Sequence, residues 1–150
     1  MENAAAPNTP KREPIPWIDL HATHSALRQE ILDALAQVLD SGVFILGDNV
    51  RQFEAELAQF CGSPNAVAVG SGTDALVLTL EALNIGPGDE VIVPAWTFVA
   101  TAAAVCHVGA TPVFVDCAPD SFLLDTAQVA AAITDKTKAI IPVHIFGEMA

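Results

Sequence analysis

Apolar residues recur three and four apart at Leu27, Ile31, Leu32, Leu35, Val38 and Leu39, a spacing that predicts a helix with one apolar face. "DSG" at 40–42 ends it with a glycine suited to a left-handed cap. "VFILGDN" reads as a short extended piece and a turn. "VRQFEAELAQFCG" predicts a second amphipathic helix through Phe53, Leu57 and Phe60, ended by Gly62. The pattern then changes. Short continuous apolar runs, "AVAVG", "VIVP", "TPVFVD" and "KAIIPVHIFG", predict four strands. Between them "TDALVLTLEALNI", "FVATAAAVCHVG" and "TAQVAAAI" predict three helices. Strands that are apolar throughout belong in a parallel sheet with helices on both faces. Their alternation with helices implies right-handed crossovers. The expected fold class is therefore α/β with a mainly parallel sheet.

Residues 1–16 hold four prolines, charges and small residues and read as a mobile leader outside any core. Residues 17–62 read as a helical segment, and 63–150 as the first part of an α/β domain. The sequence stops at "GEMA", directly after an apolar run, where this architecture calls for another loop and a covering helix. A truncated domain is the expectation.

Composition narrows the classes of partner. Lys plus Arg number 6 against 18 Asp plus Glu, a formal net charge of −12. Such a field disfavours nucleic acid and anionic lipid, which proteins meet with basic surface. An anionic ligand would have to be held by backbone N–H groups and a helix terminus. Cys61, Cys106 and Cys117 are odd in number with no CxxC pair, so reduced thiols in a cytoplasmic protein are expected. The N-terminus has no apolar secretory region, and no run approaches the ~18 apolar residues of a membrane span.

Two turns carry candidate chemistry. In "GSGTDAL", Gly70 and Gly72 permit a sharp turn and close backbone approach, and Thr73 can cap the helix or bond a ligand oxygen. A phosphate fits such a turn. So does an empty strand-to-helix turn with a Thr73 cap, and Asp74 favours the empty one by placing an acid in the first turn. The same letters match G-x-G-x-x-A, the dinucleotide fingerprint. That fingerprint also asks for an acid near the end of the next strand. "EVIVPAW" has Glu90 at its start instead, so an oxidoreductase domain fails its own check. In "PAWTFVAT", Trp96 and Phe98 follow a strand at the edge where open α/β sheets bind ligands, and either ring could stack on a planar group or simply pack.

The remaining candidates are weaker. His21 and His24 are three apart but lack a carboxylate or thiol partner, so no metal site is expected. His107 falls late in a helix, where it can offset the dipole, and His144 lies toward the end of the fourth predicted strand, near the edge where a ligand is expected. Lys136 and Lys138 lie in a loop before that run, and neither lysine reads as a covalent catalyst.

The run "SGTDALVLTLEALNIGPGDEVIVPAWTFVATAAAVCHVGATPVFVD" resembles the DegT/DnrJ/EryC1/StrS family of sugar aminotransferases. The likeness extends through "SGVFILGDNVRQFEAELAQFCG" and "AAITDKTKAIIPVHIFG", over roughly residues 15–150. The resemblance implies the N-terminal part of the large domain of the fold-type-I, aspartate aminotransferase-like fold. It implies pyridoxal 5'-phosphate as cofactor, with Gly72 and Thr73 gripping the phosphate, Phe98 stacked on the pyridine ring, and Trp96 as support. It further implies an amino transfer from glutamate to a nucleotide-linked keto sugar, for amino-sugar and surface polysaccharide synthesis, by a homodimer. The family's Schiff-base lysine and the aspartate at the pyridine nitrogen are expected beyond residue 150, and neither Lys136 nor Lys138 matches that lysine. The 150 residues alone are thus expected to be inactive. Cys117 after the strand acid Asp116, and "FGEMA" in place of a polar residue and proline, depart from the family pattern. A non-catalytic regulatory relative and a nucleotide-binding oxidoreductase domain, the latter weakened by the missing ribose acid, are the alternatives.

Overall fold

The computed structural model describes residues 15–16 and 18–150 and divides after Ala66 into two compact units. The expected leader, Ile15 and Pro16 apart, lies outside the described residues.

The first unit holds helices α1 (Leu20–Ser25), α2 (Arg28–Ser41) and α3 (Asp48–Cys61). Both predicted stops are as expected. Gly42 and Gly62 cap α2 and α3 with φ of 66° and 64°, a backbone state in which a side chain would be strained. The predicted apolar faces form, but they stay open to solvent. Phe60 is 90% exposed, and Ala58 is the buried residue of α3.

The second unit is the α/β layer. Its elements are α4 (Gly72–Ala82), β1 (Glu90–Pro94), α5 (Ala100–His107), β2 (Thr111–Val115), α6 (Thr126–Ala132) and β3 (Thr137–Ile140). A short 3-10 turn follows at Ile145–Gly147. The sheet order is β2-β1-β3, and both pairings are parallel. β1 pairs Ile92 with Val113 on one side and Ile140 on the other. Side chains alternate across a strand, and β1 uses both faces. Val91 and Val93 pack with Leu80 of α4 and Ala104 and Val105 of α5, while Ile92 packs with Val115 and with Val129 of α6. All three β1 side chains are fully buried. The sequence expectation of a parallel sheet covered on both faces therefore holds at its centre.

It does not hold at the flanks. Phe114 of β2 is 59% exposed and Ile140 of β3 is also open, because these strands are edges of the sheet. The run "AVAVG" is not a strand. A strand exists only through its ladder, and among the described residues the sheet has three members, β2, β1 and β3. The fourth apolar run is a strand only over Thr137–Ile140. Ile141 adds one more bond, its N–H donating to the Ile92 carbonyl at 2.9 Å. Pro142 then has no N–H to give, and the chain turns.

Asp125 caps α6. Its Oδ1 accepts from the N–H groups of Ala127 and Gln128 at 2.9 and 3.3 Å, and its Oδ2 from the Gln128 amide at 2.9 Å. The Gln128 side chain, then the two backbone donors, hold the carboxyl below its ordinary range. A carboxyl lowered in the folded state contributes stability above its unfolded pKa and loses it as pH falls through the folded value.

Two outcomes follow from this packing. Ile92→Ala lowers the unfolding free energy in urea by about 2–4 kcal/mol, whereas Phe114→Ala on the open face costs about 1 kcal/mol or less; equal losses would contradict the assigned faces. For Asp125→Asn, the stability gap to the natural chain is constant above about pH 5 and closes as pH falls below about 4, which acid titration of unfolding reads directly.

Candidate cofactor site

Parallel pairing places the carboxyl ends of all three strands on one edge of the sheet, so the segments 95–99, 116–125 and 141–147 emerge together. The start of α4 reaches the same edge. Eleven residues of helix rise about 16 Å and five residues of strand about the same. α4 enters β1 through a short turn at 83–89, so it runs back alongside the strand. Leu76 and Val77 pack on the core that holds Val93, which brings the first turn of α4 level with the end of β1.

The turn before α4 is built differently from the sequence expectation. The N-cap is Ser71, not Thr73. Ser71 Oγ accepts the Asp74 N–H at 3.1 Å and donates to Asp74 Oδ2 at 2.9 Å. The physical reason is position. Ser71 has extended backbone ahead of the helix, where a hydroxyl can reach the third residue on. Thr73 already lies inside the first turn. The spacing S-x-x-D in "SGTD" is a capping signal that could have identified Ser71. Capping also gives Asp74 a use that needs no ligand.

The two glycines of the turn differ. A Cβ on Gly70 would stand 2.9 Å from Asp74 Oδ2 and push on the capped carboxylate. At Gly72 a Cβ would meet nothing within 4 Å, and no left-handed φ calls for glycine there. Neither the fold nor the backbone explains glycine at 72. The open space lies beside the first N–H groups of α4, which no helix can satisfy internally. Half-buried Thr73 adds a hydroxyl. A phosphate fits this combination of empty space and neutral donors.

Phe98 lies across the β1 loop. The loop is tied down on both sides. The Ala95 N–H donates to the Val115 carbonyl at 2.8 Å, and the Thr101 N–H to the Phe98 carbonyl at 3.1 Å. The Thr97 and Thr101 hydroxyls meet at 3.1 Å. The Phe98 ring is 75% exposed, a free apolar face at the edge where a ligand would sit. Trp96 is occupied instead. Its ring packs on Phe122 at 6.1 Å, and Phe122 meets Phe146 edge-on at 6.5 Å. Sequence reasoning missed this row, since nothing in local pattern links three rings on three separate loops.

The other candidates lie elsewhere. Glu90 begins β1 at the opposite edge and accepts the Thr134 hydroxyl at 2.6 Å, so the ribose acid of a dinucleotide site is absent from the end of β1. Lys136 and Lys138 lie at the amino end of β3, away from the carboxyl edge. His21 and His24 are exposed on α1, and no group of three or more His, Cys, Asp or Glu able to hold a metal occurs among the described residues. Nor is any helix among them long and apolar enough to cross a membrane.

Comparison with known proteins identifies relatives in sequence and in fold. The profile of the DegT/DnrJ/EryC1/StrS aminotransferase family matches residues 25–150. The chain is 55% identical, over 89% of its length and 36% of the relative's, to the UDP-N-acetyl-3-dehydro-alpha-D-glucosamine 3-aminotransferase of Acidithiobacillus ferrooxidans. Among solved structures it resembles DesV of S. venezuelae in complex with a ketimine intermediate, with a TM-score of 0.87 and 49% identity, covering 91% of this chain and 37% of that one. It also resembles NtdA of Bacillus subtilis with bound cofactor PMP, at TM-score 0.86 and 37% identity, covering 95% and 33%. The chain thus spans about a third of the length of these proteins.

The cap makes one prediction. Ser71→Ala lowers stability by about 1 kcal/mol, and Thr73→Ala costs less than half of that, as read by thermal unfolding. The reverse order would return the cap to Thr73.

Proposed function

The chain belongs to the DegT/DnrJ/EryC1/StrS aminotransferase family, and from that premise we propose that it supplies the phosphate and ring grips of a pyridoxal 5'-phosphate site. The observation that carries the reading is the space at Gly72, a glycine that neither packing nor backbone requires, beside the open N–H groups of α4. The N–H groups of Gly72 and Thr73 and the Thr73 hydroxyl donate to the phosphate, assisted by the positive end of the helix. No cationic side chain is needed. That suits a chain of net charge −12 whose described lysines lie at the far edge. Phe98 lays its free ring on the pyridine face and keeps water from it, and Trp96 stands behind it.

When bound, the cofactor supplies an electron sink for the carbon that loses its proton. The residues described here bind and orient; none holds the proton that moves. The place of Lys136 and Lys138 at the amino end of β3 supports the reading that neither is the covalent lysine. In this reading the covalent lysine and the acid at the pyridine nitrogen are not among the residues assigned to the two grips, and the two grips alone do not transaminate. The complete active site takes an amino group from glutamate and passes it to a nucleotide-linked keto sugar, in a homodimer of cytoplasmic enzymes. The nucleotide-sugar substrate in the relative's name supports that class.

Gly72→Ala separates binding from folding. Its Cβ enters empty space, so the thermal midpoint holds or rises. The added Cβ takes space the phosphate would occupy, and pushing the phosphate off one charge-assisted bond lowers pyridoxal phosphate affinity about tenfold or more, as read by equilibrium dialysis. Unchanged affinity would place the phosphate elsewhere. Borohydride treatment of the loaded chain leaves no cofactor attached to Lys136 or Lys138; an adduct at either would overturn their exclusion.

A further inference from the structure

Three rings from three loops meet at the carboxyl edge: Trp96 after β1, Phe122 after β2 and Phe146 after β3. Two of them sit where side chains are disfavoured, with φ of 59° at Phe122 and 54° at Phe146. Strained non-glycine backbone persists where surrounding structure enforces it, and such positions gather at functional sites. The enforcement is visible at Phe122. Its N–H donates to the Ala118 carbonyl at 2.9 Å, and the Ala118 N–H donates to the Leu123 carbonyl at 2.8 Å, closing the loop tightly. Glycine would relax that backbone but would carry no ring. The ring is therefore what the position keeps.

We propose that the Trp96–Phe122–Phe146 row is a positioning device that fixes the β1 loop so that Phe98 presents its face to the cofactor; it rests on the Phe98 reading above. Trp96 and Phe98 are two residues apart in one short loop, and only Trp96 is gripped by a neighbouring ring among the described residues. Clamping Trp96 against Phe122 removes freedom from the loop while leaving the Phe98 ring open. Phe146 backs Phe122 edge-on, which joins the third strand's loop to the same clamp. The affected group is Phe98, and none of the three rings need touch the cofactor.

The test compares the full chain with Phe122→Gly and Phe122→Tyr. Amide hydrogen exchange at residues 95–99 is measured without cofactor, alongside the thermal midpoint. Phe122→Gly speeds exchange there about tenfold or more while the midpoint holds or rises, and Phe122→Tyr, which keeps the ring, exchanges as the natural chain does. Trp96→Leu repeats the loosening from the other partner. Unchanged exchange in Phe122→Gly, or equal loosening in Phe122→Tyr, would overturn the proposal. Induced circular dichroism of added pyridoxal phosphate is then recorded on the same samples. A weaker signal in Phe122→Gly, restored in Phe122→Tyr, supports positioning. If the natural chain gives no signal, the cofactor reading fails, and the exchange data alone decide the ring row.

Discussion

Everything at the candidate site depends on the pairing of β1, buried on both faces, between two parallel neighbours. Ile92, Val91 and Val93 have no exposure, so β1 must be roofed by α4 and α5 on one side and α6 on the other. Parallel pairing then leaves no choice about loops. Each strand must be reached by a crossover, and each must release its chain at the same edge. The helix that roofs β1 delivers its N-terminus to that edge as well. The start of α4 and the loop that carries Phe98 come out at the same edge because of how one strand is buried.

The chemistry available at this edge is that of neutral donors and rings. Described cations lie on α2 and α3 or at the amino end of β3, while Asp74 and Asp116 stand near the turn and the loops. Both acids are engaged by their own neighbourhood. Asp74 is bound to Ser71, and Asp116 accepts the following Cys117 N–H at 2.8 Å. An anion held here is therefore held by oriented N–H dipoles, with Asp74 and Asp116 directed into the protein's own turns. The glycine pair divides the same labour. Gly70 makes room for the capped carboxylate, whereas a Cβ at Gly72 would meet nothing within 4 Å.

Much of this was legible in the sequence, and the limits have physical causes. Helical spacing and glycine stops located α2 and α3, since a left-handed cap at Gly42 or Gly62 is a local event that local letters report. β1 was legible because a strand buried on both faces is apolar throughout. "AVAVG" looked the same, but pairing is a property of two strands, and hydrophobicity reports only burial. The role of Thr73 as cap was misassigned by two residues, although the S-x-x-D spacing was there to read. The rows of rings at Trp96, Phe122 and Phe146 were not legible, because left-handed phenylalanines have no sequence signature and their contacts span three loops. Gly72 and Thr73 begin α4, and Phe98 follows β1 in the loop before α5.

The most direct test of the central claim is a titration of the nitrogen-15-labelled chain with pyridoxal phosphate, followed by amide NMR. The amides of Gly72 and Thr73 and of residues 97–99 should shift together and saturate at one ligand concentration, while those of Lys136 and Lys138 stay in place. Shifts centred on the β3 amino end, or none at Gly72 and Thr73, would contradict a phosphate held at the start of α4.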